Sequence, residues 1–289
     1  MFYKLNKPRG ISSFQMIKKF AKENNIKKIG HGGTLDPLAE GLLIVATDED
    51  TKTLGFLLAD DKSYYVKASL HQSSASFDEG EKITYLNRPK ITKEQLVEGL
   101  KYIKNTKEQI PPIFSAKKVN GVRSYQLARN NKEVNLHPAK IEIMELELLD
   151  FDYNNQTFII NTKVSKGTYI RSLIHDIGLY LKTDAVVNIL RRTKVGLIRL
   201  NDDLNFEEIH NINDLFPVSL VRLSKGELDL LAKSREVFIK ELQNSCGFTM
   251  FTYCNQIIGW GENDFGLVKF TKIIFTRLDK FIQGRKSND

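Results

Sequence analysis

Cysteine is scarce in this chain, and its scarcity limits the kinds of site the chain can form. Among 289 residues there are only two cysteines, Cys246 and Cys254. No further cysteine and no nearby histidine completes a metal site beside them. In a reducing compartment such residues are expected to stay free thiols. The sequence therefore predicts no zinc site and no other metal.

Long hydrophobic runs are also missing. No apolar stretch is long enough to cross a bilayer, and residues 1–7 do not have the layout of a signal peptide. The sequence contains no internal repeat and no low-complexity tract. Hydrophobic residues make up 41% of the chain, which is enough to form a core without disulfides. We expect a monomeric, cytoplasmic protein with one large and one small domain and no membrane partner.

Acidic residues are outnumbered by basic ones, which leaves a net charge of +8 and a pI near 9.2. The excess is concentrated in residues 1–35 and 100–133, each with eight lysines and arginines. Residues 201–215 reverse the pattern, with five acidic residues and neither lysine nor arginine. A single lysine is most often solvated surface, but clusters of this kind neutralise phosphates. The clusters predict a polyanionic partner.

Residues 30–43 form the most informative stretch of the chain. Four of these fourteen residues are glycine, so the backbone bends or approaches another group closely there. Asp36 precedes Pro37, which disfavours a helical conformation at the aspartate. One interpretation is that Asp36 starts a turn, as aspartate before proline often does. The other is that a loop carboxylate fixed between apolar residues is a catalytic group.

The same stretch resembles the signature loop of the TruB family of tRNA pseudouridine synthases, which reads G-H-x-G-T-L-D-P-x-A-x-G-[LV]-L. Ten positions of that pattern match here at the same spacing. The resemblance extends over about residues 1–200 in consistent order, through segments 7–13, 62–66, 109–118, 165–172 and 190–193. One departure is Ala75, which stands where the family usually has the middle aspartate of T-D-T-x-D. The C-terminal region shows only a weak resemblance to the family's PUA-like module.

The resemblance implies a stand-alone enzyme that isomerises uridine to pseudouridine in tRNA, at uridine 55 of the T arm, without a cofactor. It implies that Asp36 is the nucleophile, since a carboxylate can form and release a covalent adduct. Tyr64 would stack on the target base and take up a proton during the rearrangement. A carboxylate that must stay ionised in a desolvated pocket needs a permanent cation, or its pKa would rise. Arg171 is the implied partner, because guanidinium stays charged and binds carboxylates bidentately.

Further residues are implied to contact the RNA. His31 would occupy the space left by the flipped uridine. The alternative is that His31 is an ordinary histidine in a turn. Tyr169 would line the base pocket, although both it and Tyr64 could be ordinary core aromatics. The other predicted substrate contacts are Lys7, Gly33, Thr34 and Lys166.

Two other functions fit the same residues. A non-catalytic RNA-binding or tRNA-folding protein would have the same basic clusters and aromatics, although an intact Asp36, Tyr64 and Arg171 argue against it. A base-modifying or nucleoside-cleaving hydrolase would pair Asp36 with a second carboxylate. Glu40 is the nearest acid in the sequence, and solvated surface is its simplest role.

Strands mixed with helices, at hairpin spacings, indicate an α+β fold. The resemblance specifies it as the pseudouridine synthase fold, a mixed and mainly antiparallel sheet with flanking helices, followed by a small β-rich domain. We predict a catalytic domain at 1–214, a PUA-like domain at 215–283 and a disordered tail at 284–289.

Three segments carry more detailed predictions. Ser12 and Gln15 form a capping-box pattern, and the helix after them is predicted to bury Phe14, Ile17 and Phe20 on one face. Residues 63–70 alternate as a half-buried strand. Residues 185–192 are predicted to form a helix.

Overall fold

The computed structural model describes residues 1–57, 61–115, 117–119, 121–130, 134, 136–216 and 218–286. It divides into two compact units, Met1–Glu208 and Ile209–Asp289. The predicted boundary at 214/215 lies a few residues later. Residues 201–208 of the acidic stretch belong to the first unit, because residues 206–208 pair with the N-terminal strand and Glu207 forms a 2.8 Å ion pair with Lys4.

The elements of the first unit alternate between strands and short helices. Its strands are β1 (Phe2–Lys7), β2 (Ile29–His31), β3 (Ala39–Thr47), β4 (Lys62–Leu70), β5 (Gln72–Ser73), β6 (Thr84–Tyr85), β7 (Glu108–Gln109), β8 (Lys118–Val119), β9 (Val122–Arg123), β10 (Ala139–Lys140), β11 (Ile143–Asp152), β12 (Thr157–Val164), β13 (Ala185–Val195), β14 (Ile198–Arg199) and β15 (Phe206–Glu208). Its α-helices are α1 (Ser13–Glu23), α2 (Leu54–Leu57), α3 (Lys93–Lys104), α4 (Ser124–Arg129) and α5 (Ile170–Tyr180), with a 3₁₀ turn at Asp48–Thr53.

One large sheet organises this unit. Its strands run in the order β11-β12-β4-β13-β3-β1-β15, with β2 beside β3 and β14 beside β13. All its ladders are antiparallel except that between β13 and β3. The inner faces of α1, α3 and α5 share one hydrophobic core with the sheet. The predicted α+β class with a mainly antiparallel sheet is confirmed.

Two of the detailed predictions hold. Ser12 accepts from the Gln15 backbone N–H, and the Gln15 side chain accepts from the Ser12 backbone, which completes the capping box that begins α1. Residues 63–70 lie in β4, where Tyr64, Val66 and the other alternating residues are buried. Helix α1 buries Ile17 and Phe20 as predicted.

Phe14 is a different case, because its side chain is exposed at 61%. The prediction that it faces the core is wrong. Helix α1 begins at Ser13, and the core-facing position of its first turn is taken by Ser13 itself. The stripe that the sequence suggests therefore starts at Ile17.

The helix predicted at residues 185–192 is wrong, because these residues form the long strand β13. Strand β13 lies between β4 and β3 near the middle of the sheet, and its first three residues are all buried. A strand buried on both faces shows no alternation, and periodicity alone cannot distinguish it from a buried helix. Two β-branched valines in succession are the signal that favours the strand.

The second unit is a five-stranded sheet with two helices. Its elements are β16 (Ser219–Arg222), α6 (Lys225–Leu231), β17 (Glu236–Phe238), β18 (Cys246–Tyr253), β19 (Gln256–Asp264), β20 (Leu267–Ile273) and α7 (Phe275–Lys286), with 3₁₀ turns at Ile212–Asp214 and Lys240–Leu242. The strand order is β16-β18-β19-β20-β17. Both cysteines are exposed and free.

The predicted disordered tail requires a correction. Helix α7 extends to Lys286, so residues 284–286 are helical, and residues 287–289 lie outside the described residues. Leu278 of this helix is buried in the core of this unit, and Phe281 and Ile282 pack against that core. In the described part of the chain no helix is both long and apolar enough to span a membrane.

Candidate active site

The Asp36 loop connects β2 to β3 and is fixed through its backbone. The Ser13 hydroxyl accepts from the Leu35 N–H at 2.8 Å and donates to the Leu35 carbonyl at 2.9 Å. Leu35 itself is buried in the core. The residue before Asp36 is therefore held from both sides by the first turn of α1. The carboxylate of Asp36 remains 37% exposed.

Lys7 holds the other end of this loop. Its side chain is completely buried, and Nζ donates to the carbonyls of Pro8, Ile11 and Pro37 at 2.9, 2.7 and 3.3 Å. Burial lowers the pKa of this ammonium from 10.5 to about 8, although the nearby carboxylate of Asp36 opposes the change. A fully buried ammonium cannot reach an RNA phosphate. The prediction that Lys7 contacts substrate is therefore replaced by a structural role.

Arg192 on β13 donates hydrogen bonds to two backbone carbonyls of the glycine-rich stretch 30–43. Its side chain is 1% exposed, and its guanidinium donates to the carbonyls of Leu42 at 2.8 Å and Gly33 at 3.0 Å. Gly41, opposite Arg192 in the parallel ladder, has φ +98°. A Cβ at Gly41 would lie 2.4 Å from the Arg192 carbonyl oxygen, so no other residue fits there. The glycine at position 41 thus follows from a close approach of two strands.

Arg171 is brought to Asp36 by the start of α5. Its Nε donates to Asp36 Oδ2 at 2.8 Å. Its other nitrogens donate to the carbonyls of Ser76 and Phe114, at 2.8 and 2.9 Å. The Arg171 side chain is only 5% exposed. A permanently charged guanidinium with a hydrogen bond at each nitrogen therefore faces the carboxylate from the protein side.

Asp78 is a residue of this site that sequence reasoning missed. Its Oδ2 lies 3.6 Å from Arg171 Nε, and its Oδ1 accepts from the Gly80 N–H at 2.9 Å and from the Ser76 hydroxyl. It is 8% exposed. The signal was present, since Asp78 matches the last aspartate of T-D-T-x-D. Ala75, the departure from that pattern, is exposed.

An opening beside the ion pair marks where a ligand could reach Asp36. Its lining residues come from four segments of the first unit, namely Asp36, Leu38, Ala39, Asp78, Arg171, Val187, Asn188 and Leu190. Strand β13, which was predicted to be a helix, supplies three of these residues. The sheet therefore places the loop before β3, the start of α5 and the middle of β13 around one carboxylate.

Tyr169 precedes α5 and lies within electrostatic reach of the ion pair. Burial raises the pKa of its phenol, and the carboxylate of Asp36 adds to this rise, while Ser115 and Arg171 oppose it. Its backbone N–H donates to Gln109 Oε1 at 2.9 Å.

The remaining predicted site residues differ in their exposure to solvent. Burial and the charge of Arg192 lower the pKa of His31, which favours a neutral imidazole. Tyr64 is 8% exposed and packs in the core on β4. Thr34 and Lys166 are exposed. Their contacts with substrate stay predictions.

Glu40 is not the partner of Asp36. It accepts a hydrogen bond from Arg191 at 3.2 Å and lines a separate groove with residues of β1 and α1. The second carboxylate at this site is Asp78. Across the described segments no group of three or more His, Cys, Asp or Glu side chains is placed to hold a metal ion.

Comparison with known families identifies the group of proteins to which this arrangement belongs. The model of the TruB family pseudouridylate synthase N-terminal domain matches residues 19–170, more than half of the chain. The chain belongs to the TruB family. It is therefore a pseudouridine synthase, and the resemblance predicted from the Asp36 loop is confirmed.

TruB-family relatives match along the whole chain. The tRNA pseudouridine synthase B of Mycoplasma mobile is 38% identical over 288 residues, covering 99% of both chains. That of Mycoplasmopsis pulmonis is 37% identical over 289 residues and covers 100% of both. These two matches therefore extend over both units.

Solved structures share the fold at lower identity. A chain of the Cbf5-Nop10-Gar1 complex superposes with a TM-score of 0.67 at 19% identity, covering 94% of this chain and 84% of that one. A chain of the H/ACA RNP bound to a substrate RNA containing 2'-deoxyuridine gives 0.68 at 18% identity, with the same coverage. At these identities the likeness concerns the fold alone.

Proposed function

We propose that this TruB-family enzyme converts uridine to pseudouridine in tRNA, at uridine 55 of the T arm, with Asp36 as the nucleophile. The observation that carries the proposal is the asymmetry of the Asp36–Arg171 pair. The carboxylate is 37% exposed at an opening, whereas the guanidinium is 5% exposed. Arg171 donates to one carboxylate oxygen at 2.8 Å. A substrate can therefore reach the exposed part of the carboxylate while the ion pair with Arg171 stays intact.

The reaction is an isomerisation that needs a nucleophile and a proton acceptor. The bond between ribose C1′ and uracil N1 breaks, the base turns, a bond between C1′ and C5 forms, and the proton on C5 is transferred to N1. A carboxylate can hold one fragment as a covalent adduct while the base turns and then leave. Attack at C1′ and attack at the uracil ring both require an exposed carboxylate of this kind. The chemistry calls for no redox group, and we expect no cofactor.

We assign the aromatic side chains supporting roles around the base. Tyr169 precedes Arg171 by two residues and would line the base pocket, where its high phenol pKa keeps it a neutral hydrogen-bond donor. Tyr64 would stack on the base and accept a proton, which requires access from the buried face of β4. His31, as a neutral ring, would fill the gap in the RNA stack that base flipping leaves.

The RNA would be held through its phosphates and read by shape. Helix α1 exposes Lys18, Lys19 and Lys22 on the side opposite its core face. Ser13 of the same helix is bonded to the Asp36 loop, so a phosphate backbone lying along α1 would pass close to the nucleophile. We expect catalysis to reside in the first unit, the second unit to be PUA-like, and the enzyme to act as a cytoplasmic monomer.

Pseudouridine formation on an unmodified tRNA transcript tests this function. Asp36→Asn keeps the size of the side chain but removes the nucleophile, and we expect the rate to fall by about 10⁴-fold or more. RNA affinity should remain unchanged. Asp203→Asn, an exposed carboxylate outside the opening, is the matched control and should retain full activity. A transcript with cytidine at position 55 tests the target site.

Three results would contradict the proposal. RNA binding without product from the wild type would favour the RNA-binding alternative. Release of free uracil would favour a hydrolase, since an isomerase releases no fragment. Product from Asp36→Asn at the wild-type rate would leave the enzyme class intact but remove Asp36 as nucleophile.

A further inference from the structure

Phe77 and His175 form an aromatic stack next to the ion pair but outside the opening itself. The ring centroids are 4.0 Å apart and the planes differ by 11°. Phe77 lies between Ser76 and Asp78, which both contact Arg171. His175 lies four residues after Arg171 on α5, and residues at this spacing share one face of a helix. The stack and the Arg171 contacts therefore join the same two segments.

The backbone at Phe77 is in a conformation that needs support. Its φ is +61°, which a bulky residue adopts only when its surroundings impose it. The Val187 N–H donates to the Phe77 carbonyl at 3.0 Å, and the Phe77 N–H donates to the Ser74 carbonyl at 3.1 Å. With the backbone fixed to β13 and the ring fixed to His175, the peptide groups on either side have one orientation.

Asp184 contacts the imidazole at its Nδ1 atom. His175 Nδ1 lies 2.7 Å from Asp184 Oδ1, and the Ser73 hydroxyl donates to Asp184 Oδ2 at 2.5 Å. Burial acts to raise the pKa of Asp184, but the hydrogen bonds from His175 and Ser73 outweigh it and hold the pKa below its ordinary value. The ionised carboxylate thus connects the start of residues 73–78 to the helix that carries Arg171.

The effect of this arrangement falls on the Ser76 carbonyl and on Asp78. The carbonyl accepts from Arg171 Nη1 at 2.8 Å, and Asp78 faces Nε of the same guanidinium. Both acceptors are carried by the residues adjoining Phe77. A rotation of the Phe77 backbone would move both, and the guanidinium would turn away from Asp36.

We propose that Phe77 and His175, fixed by Asp184, are positioning residues for the uridine isomerisation, which hold residues 73–78 so that Arg171 points at Asp36. This inference rests on the proposed function. Neither side chain lines the opening at Asp36, so neither is a catalytic residue. The stack acts through the guanidinium, and its loss slows the chemical step without weakening RNA binding.

Single-turnover pseudouridine formation and RNA affinity, measured separately, test the proposal. Phe77→Ala removes the stack, and we expect a loss of about tenfold in the single-turnover rate, since small misplacements of catalytic groups have effects of this order or larger. The RNA dissociation constant should stay within about twofold of wild type. Phe77→Tyr preserves the ring and should restore the rate. His175→Ala should lower the rate as Phe77→Ala does.

A matched control comes from the stack of Tyr102 on Tyr180 at 4.6 Å and 27° in the same unit. It joins α3 to the end of α5, away from Arg171. Tyr102→Ala removes an aromatic stack of similar size and should leave the single-turnover rate unchanged. Thermal unfolding of both variants shows whether any rate loss merely follows stability.

A double-mutant cycle tests the route through Arg171. In an Arg171→Lys background the loss caused by Phe77→Ala should shrink to less than about twofold, because the guanidinium it orients is gone. The proposal is overturned if Phe77→Ala retains the wild-type single-turnover rate, if Tyr102→Ala loses as much, or if the two losses multiply. An inactive wild type would instead overturn the proposed function, which the same assay reveals.

Discussion

The Asp36 loop has two sides that use buried cations differently. On one side Arg171 pairs with the carboxylate of Asp36 and lies near that of Asp78. On the other side Lys7 and Arg192 donate to backbone carbonyls only, among the bonds that the structure describes. All three side chains are almost entirely buried.

The difference distinguishes a cation expected to act in the reaction, Arg171, from two that support the loop, Lys7 and Arg192. A cation that binds a partly exposed carboxylate places charge where a substrate would react, although Arg171 also donates to the carbonyls of Ser76 and Phe114. A cation that binds only carbonyls joins backbone segments, and its removal takes a donor away from buried acceptors. Substitutions on the first side should therefore affect the rate in addition to stability, and those on the second should affect stability alone.

Arg171→Lys should have the largest effect on the first side. Lysine keeps the charge but cannot direct three groups of donors at Asp36, Ser76 and Phe114 at once. We expect the single-turnover rate to fall by roughly 10² to 10³-fold, the usual range for losing a preorganised charged donor. RNA affinity, measured in parallel, should change little, whereas the free energy of unfolding should fall because the carbonyls of Ser76 and Phe114 lose a donor. A variant that unfolds without losing rate in its folded fraction would break the comparison.

Arg192→Lys should have the converse effect on the second side. A lysine reaches one of the two carbonyls at Leu42 and Gly33, and the other remains buried without a donor. We expect the free energy of unfolding to drop by about 2 kcal/mol, the cost of one such acceptor. Urea denaturation measures it, and the rate of the folded fraction should stay near wild type. A large loss of rate with unchanged stability would place Arg192 on the catalytic side.

Gly41→Ala and Gly10→Ala compare a close approach with backbone strain alone. Both glycines have positive φ, at +98° and +95°, but only Gly41 has a carbonyl oxygen 2.4 Å from the position of a Cβ. We expect a loss of stability of about 1 kcal/mol at Gly10 and about 3 kcal/mol at Gly41. Thermal or urea unfolding of the pair measures the difference. Equal losses would mean that the strands can separate at little cost.

Lys7→Met should change how stability depends on pH. The folded-state pKa of Lys7 is about 8, against an ordinary 10.5. Between these values the unfolded chain binds the additional proton, so this group makes the free energy of unfolding rise with pH. Relative to Lys7→Met, the wild type should gain on the order of 1 kcal/mol per pH unit above about pH 8. Parallel denaturation curves for both proteins check this. A difference that stays constant or falls would show that Lys7 keeps its charge.

Several features of the site follow from residue types and their spacing. Asp36, Arg171 and Tyr169 lie together as the motif matches imply, and the capping box at Ser12 begins α1. Asp78 could also have been found, because it occupies the last position of a family pattern whose middle position is altered. Neighbouring residues determine the geometry of the capping box, whereas the Asp36–Arg171 pair, 135 residues apart, is implied by the family resemblance.

Other features could not be predicted from local pattern. Strand β13 begins with three consecutive buried residues, so its start does not show the alternation of a half-buried strand. Phe14 falls on an apolar stripe, but the start of α1 turns it to solvent. Lys7 belongs to a basic cluster, yet its ammonium is enclosed by carbonyls from three residues. Each outcome depends on which segments become neighbours after folding.

By itself the sequence determined the family, the α+β class and the pairing of Asp36 with Arg171. Those properties reside in residue types at fixed spacing, which the chain carries before it folds. Only the tertiary structure decided that Glu40 faces another groove, that Lys7 and Arg192 support the loop, and that Phe77 and His175 meet beside Arg171. Such contacts join residues far apart in sequence, and burial then decides whether a charged side chain meets a carbonyl, a carboxylate or water.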